Sequence, residues 1–438
     1  MIKRIAILFT LTGAAYAFSV LVLKRLASHP EIDQVAKIAE LDTLVQFLIG
    51  LIGFGMQTEA IRNISFSTNW KKDLVEAQTA RETFGFILLI VVAAGLIKEY
   101  YFYFAIAPLL AASADYALYA RGLATVGAVI AFLRVTFPLG MALAAAFYFP
   151  HHLFVVYITS TALVYVFSNI LIYHTLGLPF QYRVALGSIR MYLKTIPIGI
   201  INLAFYFFGL GILLLAQPFF DANQLVVSFV GLKFYLIFKG GIRVVHQGFV
   251  NKMNEEQVCI RIDKIAIMLA VLFFGTLSIF PNTIIPLVFG EQFLNHYFLF
   301  AGLGVAAVIF SIFSSSSTRI FLERRDLELM KIAMVSVLIS VLSFLVAYYV
   351  ISKPEVVVVA LLIGELFFSI ALSLKFFSVE QINQRLLFLA AALLSLLLPI
   401  GFKFFLGDSL IVYLTSFTVL AVMMFLVNRK QLTLPSPV

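Results

Sequence analysis

Charge is scarce in this sequence. Asp, Glu, Lys and Arg together make up 12% of 438 residues, against roughly 25% in an ordinary soluble domain. A chain this poor in charge cannot clothe a water-facing globule, so a soluble domain of this size is excluded. Cysteine is almost missing as well: the single Cys259 excludes a disulfide framework and a thiol-rich metal site. The histidines show no ligand spacing. His151 and His152 follow a proline at the end of an apolar run, and His174 and His246 close two others. There is no GxxxxGK[ST] loop, which argues against a P-loop ATPase, and no GxSxG elbow stands out. No connection is long enough for an obvious acyl- or glycosyl-transfer site, so an enzyme is the weaker class.

Apolar residues supply the rest: they are 62% of the chain, with a mean hydropathy of +1.04. Such a composition defines an integral membrane protein. In hydrocarbon every backbone N–H and C=O must be satisfied internally, leaving helices or closed barrels. Runs of about 20 residues suit a helix crossing ~30 Å and are too long for a barrel strand. We read an all-α polytopic protein of about fourteen transmembrane helices. They fall near 5–23, 39–60, 82–97, 101–120, 124–148, 152–175, 194–216, 222–244, 264–286, 293–315, 330–350, 356–377, 385–402 and 408–427. The N-terminal run reads as the first of these spans rather than as a secretory signal, because the whole chain is hydrophobic. Residues 65–81 read either as a surface helix continuing into the third span or as an ordinary loop. The 176–193 loop suggests a first six-helix lobe over 1–180, a second over 181–378, and an additional C-terminal helix pair over 379–438.

The connections differ in charge. With both termini cytoplasmic, twenty-one Lys and Arg residues fall on the inner side, Arg62, Arg81, Arg121, Arg183 and Arg385 among them, and six on the other. That asymmetry fits the positive-inside rule.

A few ionisable residues remain at membrane depth: Arg134 in the fifth span, Lys233 and Lys239 in the eighth, Glu365 in the twelfth and Asp115 in the fourth. Glu40 and Asp42 stand at the outer edge of the second. Charges at such depth cost about 2.5–3.5 kcal/mol on insertion scales, so by default they face a bundle interior or a watery cavity. Lys239 and Arg243, four residues apart, share a helix face, while Lys233 lies on another. Lys239 and Arg243 can instead snorkel to headgroups. Lys233 can pair with an internal acid, Glu365 being the obvious one, and Arg134 can pair in the same way. The deep cations at least balance the deep acids, which favours an anionic substrate. Phosphate or diphosphate matches guanidinium and ammonium donors. A lipid headgroup suits so large a bundle better than a small-anion channel does. Gly50, Gly53 and Gly55 in the second span, with Gly209 and Gly211 in the seventh, allow bending, close approach or plain small-residue packing.

Four stretches carry a family likeness. LDTLVQFLIGLIGFGMQTEAIRNIS (41–65) holds Gly53, Phe54 and Gly55, then Glu59 and Arg62; ADYALYARGLATVGAV (114–129) sets Asp115 and Tyr116 before Gly122. PLVFGEQF (286–293) makes a proline-to-glycine turn, and FLERRDLELMKI follows at a later connection. In this order they resemble bacterial polysaccharide flippases of the O-antigen (Wzx-like) type, within the multidrug/oligosaccharidyl-lipid/polysaccharide exporter superfamily. The resemblance covers roughly 5–377; the final helix pair departs from members that stop at twelve spans. It implies a V-shaped pair of six-helix lobes with alternating access. It also implies movement of an undecaprenyl-diphosphate-linked oligosaccharide to the periplasmic leaflet of the bacterial inner membrane.

On that reading Arg134, Lys233 and Lys239 hold the diphosphate, and Arg62 and Arg243 are inner-gate or headgroup-side cations. Asp115 and Glu365 are candidate ion-coupling acids. A proton or sodium gradient, or the membrane potential, drives the cycle without a cofactor or metal. The partners are the lipid-linked oligosaccharide, membrane lipids and, as a candidate, the polysaccharide polymerase or chain-length machinery, with the chain working as a monomer. The alternatives are a secondary efflux transporter for small solutes or drugs, and a polytopic scaffold.

Overall fold

The computed structural model describes residues 2–94, 104–249, 253 and 255–432. The end of the third expected span and the start of the fourth, with Lys98 and Lys252, lie outside the described residues. The chain divides into two compact units, Ile2–Pro218 and Phe219–Val438.

The first unit is helical throughout. Its long helices are α1 (Ile2–Ala27), α2 (Ile32–Gly53), α3 (Met56–Phe66) and α4 (Trp70–Ala93). Two short ones follow, α5 (Ala107–Ala111) and α6 (Asp115–Ala120). Then come α7 (Ala124–Tyr148), α8 (Leu153–Leu176), α9 (Arg190–Lys194), α10 (Ile196–Tyr206) and α11 (Ile212–Ala216). Among these, α1 packs along α7 and α7 along α8.

The second unit begins with α12 (Ala222–Phe249), α13 (Glu256–Ile279), α14 (Pro281–Val288) and α15 (Tyr297–Ile312). It continues with α16 (Ser316–Leu322), α17 (Asp326–Ile351) and α18 (Glu355–Phe376), and closes with α19 (Val379–Leu394), α20 (Leu397–Leu406) and α21 (Leu410–Leu432). Here α17 lies along α18, and α13 along both α15 and α19. The C-terminal helices therefore pack within this unit.

Among the described residues nine helices are long and apolar enough to cross a membrane. They are Ala124–Tyr148, Pro150–Leu176, Ile196–Ala216, Ala222–Arg243, Glu256–Ile279, Glu291–Phe321, Asp326–Ile351, Glu355–Phe376 and Val379–Leu406. These stand where the fifth to thirteenth spans are expected, with one displaced. The ninth starts at Glu256 rather than 264, because Val258, Cys259, Ile262 and Ala266 form a buried stripe at helical spacing that carries the polar residues between them into the helix. It ends at Ile279, and Pro281 opens a new helix. Residues 70–93 form one helix, so the segment before the third span continues into it.

The GFG of the second span is a break. Phe54 and Gly55 have φ of 20° and 75°, between the end of α2 and the start of α3. A Cβ on Gly55 would lie 2.7 Å from the Thr195 carbonyl oxygen, so both the left-handed turn and the close approach of 195–199 require glycine. The carbonyls freed where α2 ends find donors there: Tyr192 Oη gives to Ile52 O at 2.6 Å and Thr195 Oγ1 to Phe54 O at 3.0 Å. The seventh span bends too, with non-helical backbone at Phe208 and Gly209. Lipid supplies no hydrophobic drive between helices, so close packing must. In the second unit Phe289, Phe293 and Phe300 are all buried, with Phe289 and Phe300 centroids 4.4 Å apart.

Candidate functional site

In the first unit, Arg134 lies near the middle of α7, and Pro138 four residues on has no N–H to offer its carbonyl. Tyr165, Ser168 and Asn169, at spacings of three and four on α8, present one face to it. The guanidinium lies 4.3 Å from the Tyr165 ring centroid. Its Nε donates to Ser168 Oγ at 2.9 Å, and Nη2 to Ser113 Oγ at 2.9 Å and Asn169 Oδ1 at 3.0 Å. Nη1 pairs with Asp115 Oδ2 at 3.3 Å. Asn169 is oriented for this, since its amide nitrogen donates to Leu109 O. Ser113 comes from the turn between α5 and α6, and Asp115 opens α6, where its Oδ1 also accepts from the Tyr116 backbone N–H at 3.1 Å. Four of the five guanidinium N–H groups are thereby engaged. The Arg134 side chain is 9% exposed, and that of Asp115 32%.

In the second unit, Glu365 lies in the middle of α18 and is buried. Its Oε1 accepts from Tyr235 Oη at 2.9 Å and is ion-paired with the Lys239 ammonium. Tyr235 and Lys239 are one turn apart on α12, so one helix face brings both to the acid. Lys239 Nζ also stands over the rings of Tyr235 and Phe310, 4.7 and 4.8 Å from their centroids.

This corrects the expected partner of Glu365, which is Lys239 and not Lys233. Six residues on an α-helix turn Lys233 away from the face that meets α18. Lys233 is half-buried, 5.3 Å from the Phe229 ring centroid, and Arg243 is exposed one turn beyond Lys239. Arg62 lies on α3, and its side chain is outside the described part. The expected set is thus not one cationic stripe. Asp115 joins Arg134, and Glu365 joins Lys239.

Two buried networks were not legible from composition. Arg81, counted with the inner loops, lies within α4 and is 3% exposed; its Nη1 reaches Gln78, and its guanidinium stands 4.8 Å from the Tyr116 ring centroid. Beside it Glu82 is 1% exposed and accepts the Arg183 backbone N–H at 2.6 Å and the Tyr173 hydroxyl at 3.4 Å. Tyr182 Oη donates to the Glu82 backbone oxygen at 2.8 Å. Burial, with the Glu82 carboxylate nearby, pushes that phenol above its usual range. Arg385, also counted as a loop cation, lies two turns inside α19, fully buried against Asp263 of α13. The signal for it was present: Ser378 and Gln381 form a capping box that starts the helix well before Arg385. Asp263, four residues after Cys259, falls on the stripe of buried residues that extends α13. Among the described residues no group of three or more His, Cys, Asp or Glu side chains could hold a metal ion.

In fold, the chain is similar to transporters of the multidrug-export and lipid-flippase kind. It matches a lipid II flippase, MurJ, in an inward closed conformation over 98% of this chain and 100% of that one, with a TM-score of 0.67 and 13% identity. It also matches a MATE protein in complex with MaL6, over 89% and 96% of the two chains, at a TM-score of 0.54 and 15% identity. An outward-facing multidrug resistance MATE transporter of the MOP superfamily matches over the same shares, at 0.53 and 15%. No protein-family model matches the sequence, and no curated protein matches it.

Proposed function

We propose that this chain is a flippase that carries an undecaprenyl-diphosphate-linked oligosaccharide from the cytoplasmic to the periplasmic leaflet by alternating access. The observation that carries the reading is the pair of deep charges in each unit, Arg134 with Asp115 and Lys239 with Glu365. Fold likeness to a lipid flippase supports a membrane-lipid substrate, and likeness to MATE transporters supports alternating access.

On this reading the carboxylates hold the cations in the absence of substrate. A diphosphate offers more charge and more acceptor oxygens than one carboxylate, so it displaces Asp115 or Glu365 from its cation. The displaced acid then takes up a proton, or a sodium ion, from the driving gradient. When the diphosphate leaves, the acid gives up that ion and re-forms its pair. Lys233 adds a further cation, and Arg62 and Arg243 serve the headgroup side.

The MATE likeness favours one second reading, efflux of a small solute. A deletion strain separates the two. Accumulated undecaprenyl-diphosphate-linked oligosaccharide, relieved by the wild type but not by well-inserted Arg134→Gln, Lys233→Ala or Lys239→Gln, supports the flippase. No accumulation, together with a drug-sensitivity phenotype, rejects the flippase in favour of efflux. Full relief by all three variants rejects the cation-based mechanism.

A further inference from the structure

The second unit contains a line of polar contacts that the transport reading does not use. Arg385 and Asp263 are both completely buried, with Nε donating to Oδ2 at 2.9 Å. The Arg385 guanidinium also donates from Nη1 to Gln381 O at 3.0 Å and lies near the rings of Phe377 and Phe313, 4.9 and 5.5 Å from their centroids. The other Asp263 oxygen, Oδ1, accepts from Ser314 Oγ at 3.0 Å and from the Ser315 backbone N–H at 2.8 Å. Both serines belong to the turn at 313–315 that interrupts the long span between α15 and α16.

Ser314 gives its only proton to Asp263. Its lone pair is left to accept from His246 Nε2, 3.3 Å away. His246 lies near the C-terminal end of α12, seven residues after Lys239 and on the same helix face.

Burying two full charges is costly, and well-packed apolar side chains often hold such a junction as stably. What the charged pair adds is a defined geometry that reaches the helix carrying Lys239. We infer that Arg385 is a positioning residue. Through Asp263 it fixes the 313–315 turn and the end of α12, so the C-terminal helices set the orientation of Lys239. The consequence for transport rests on the flippase reading; the coupling itself does not.

The chain carries its own reporter of the first link. Cys259, its only cysteine, is buried one turn before Asp263, and its carbonyl accepts from Ser315 Oγ at 3.3 Å. A nitroxide on Arg243→Cys in a Cys259→Ser background, at an exposed position three residues before His246, reports the far end. Both are read on the full-length protein in detergent. Local opening should make maleimide labelling of Cys259 at least about tenfold faster in Arg385→Gln. The nitroxide spectrum should sharpen in the same variant, and Arg385→Lys should restore part of both.

His246→Ala should loosen the nitroxide and leave Cys259 protected. If Arg385→Gln does not fold, Arg385→Lys, which keeps the buried charge but not the planar fork, should fold and still label at Cys259 faster than the wild type. Three results would overturn the inference: unchanged labelling of Cys259 in a folded Arg385→Gln or, where that does not fold, in Arg385→Lys; a labile Cys259 with an unchanged nitroxide; or equal exposure of a cysteine placed at buried Ala142 in the first unit, which marks global unfolding. Neither readout needs a substrate, so failure of the flippase reading leaves them standing.

Discussion

Glu365 takes both the Lys239 ammonium and the Tyr235 hydroxyl on one oxygen, Oε1. The acid and the cation that the sequence offered for separate roles are thus neutralised together, deep in one unit. Glu365→Gln keeps an acceptor for Tyr235 but takes the carboxylate away from the charged Lys239, whose side chain is 15% exposed. Lys239→Met leaves the carboxylate with only a phenol. Each single change should cost about 3–5 kcal/mol, the usual penalty for stranding one member of a buried pair. The double variant should regain much of it. Thermal unfolding midpoints in detergent read this directly; additive losses in the double variant would mean the two groups do not interact.

Arg134 makes a different demand, because its fork spans Ser113, Ser168, Asn169 and Asp115. Lysine keeps the charge but concentrates it at one point and cannot reach all four partners. Arg134→Lys should therefore cost about 1–3 kcal/mol from hydrogen bonds lost inside the protein. It should also fail to relieve accumulation of the lipid-linked oligosaccharide. Wild-type stability and transport in Arg134→Lys would show that charge alone suffices and that the fork geometry is idle.

These pairs explain what could be read in advance and what could not. Fold class and the spans from residue 124 to 406 follow from runs of apolar residues, because lipid enforces helix wherever such a run is long enough. Span edges were harder. At Glu256 and Val379 the helix starts in polar sequence, held by a buried stripe in one case and a capping box in the other. Arg134 was legible as a deep cation, and its partner Asp115 lies only 19 residues away. Lys239 and Glu365 are 126 residues apart, and Asp263 and Arg385 are 122 apart. Depth along a span can be read from one helix alone. Which charges meet depends on how two helices are rotated, and no single segment records that.

The break in the second span gives a backbone test. Gly55 has φ of 75°, and an added Cβ would press on the Thr195 oxygen 2.7 Å away. Gly55→Ala should cost at least about 1–2 kcal/mol from the left-handed backbone alone, before any clash. Gly50→Ala, five residues earlier, places its Cβ 3.5 Å from Leu203 Cδ2, an ordinary contact, and should be nearly neutral. Comparable midpoints for the two variants would mean that 195–199 can move aside without loss.

The connection between α8 and α9 is held down by two side chains of α4. Glu82 accepts the Arg183 N–H at 2.6 Å, and Thr83 Oγ1 accepts the Ala185 N–H at 2.9 Å. The Arg183 side chain itself is exposed, so trypsin can sample this strap without the protein unfolding. Glu82→Gln keeps an oxygen for the Arg183 N–H and should be cut at nearly the wild-type rate. Glu82→Ala removes it and leaves the Arg183 N–H without its acceptor, a loss of about 1–3 kcal/mol, so cleavage after Arg183 should rise at least about fivefold. Adding Thr83→Ala should raise it again, because the second anchor goes as well. If cleavage after Arg183 is the same in all three, the strap is held by its own backbone and Glu82 is buried for some other reason.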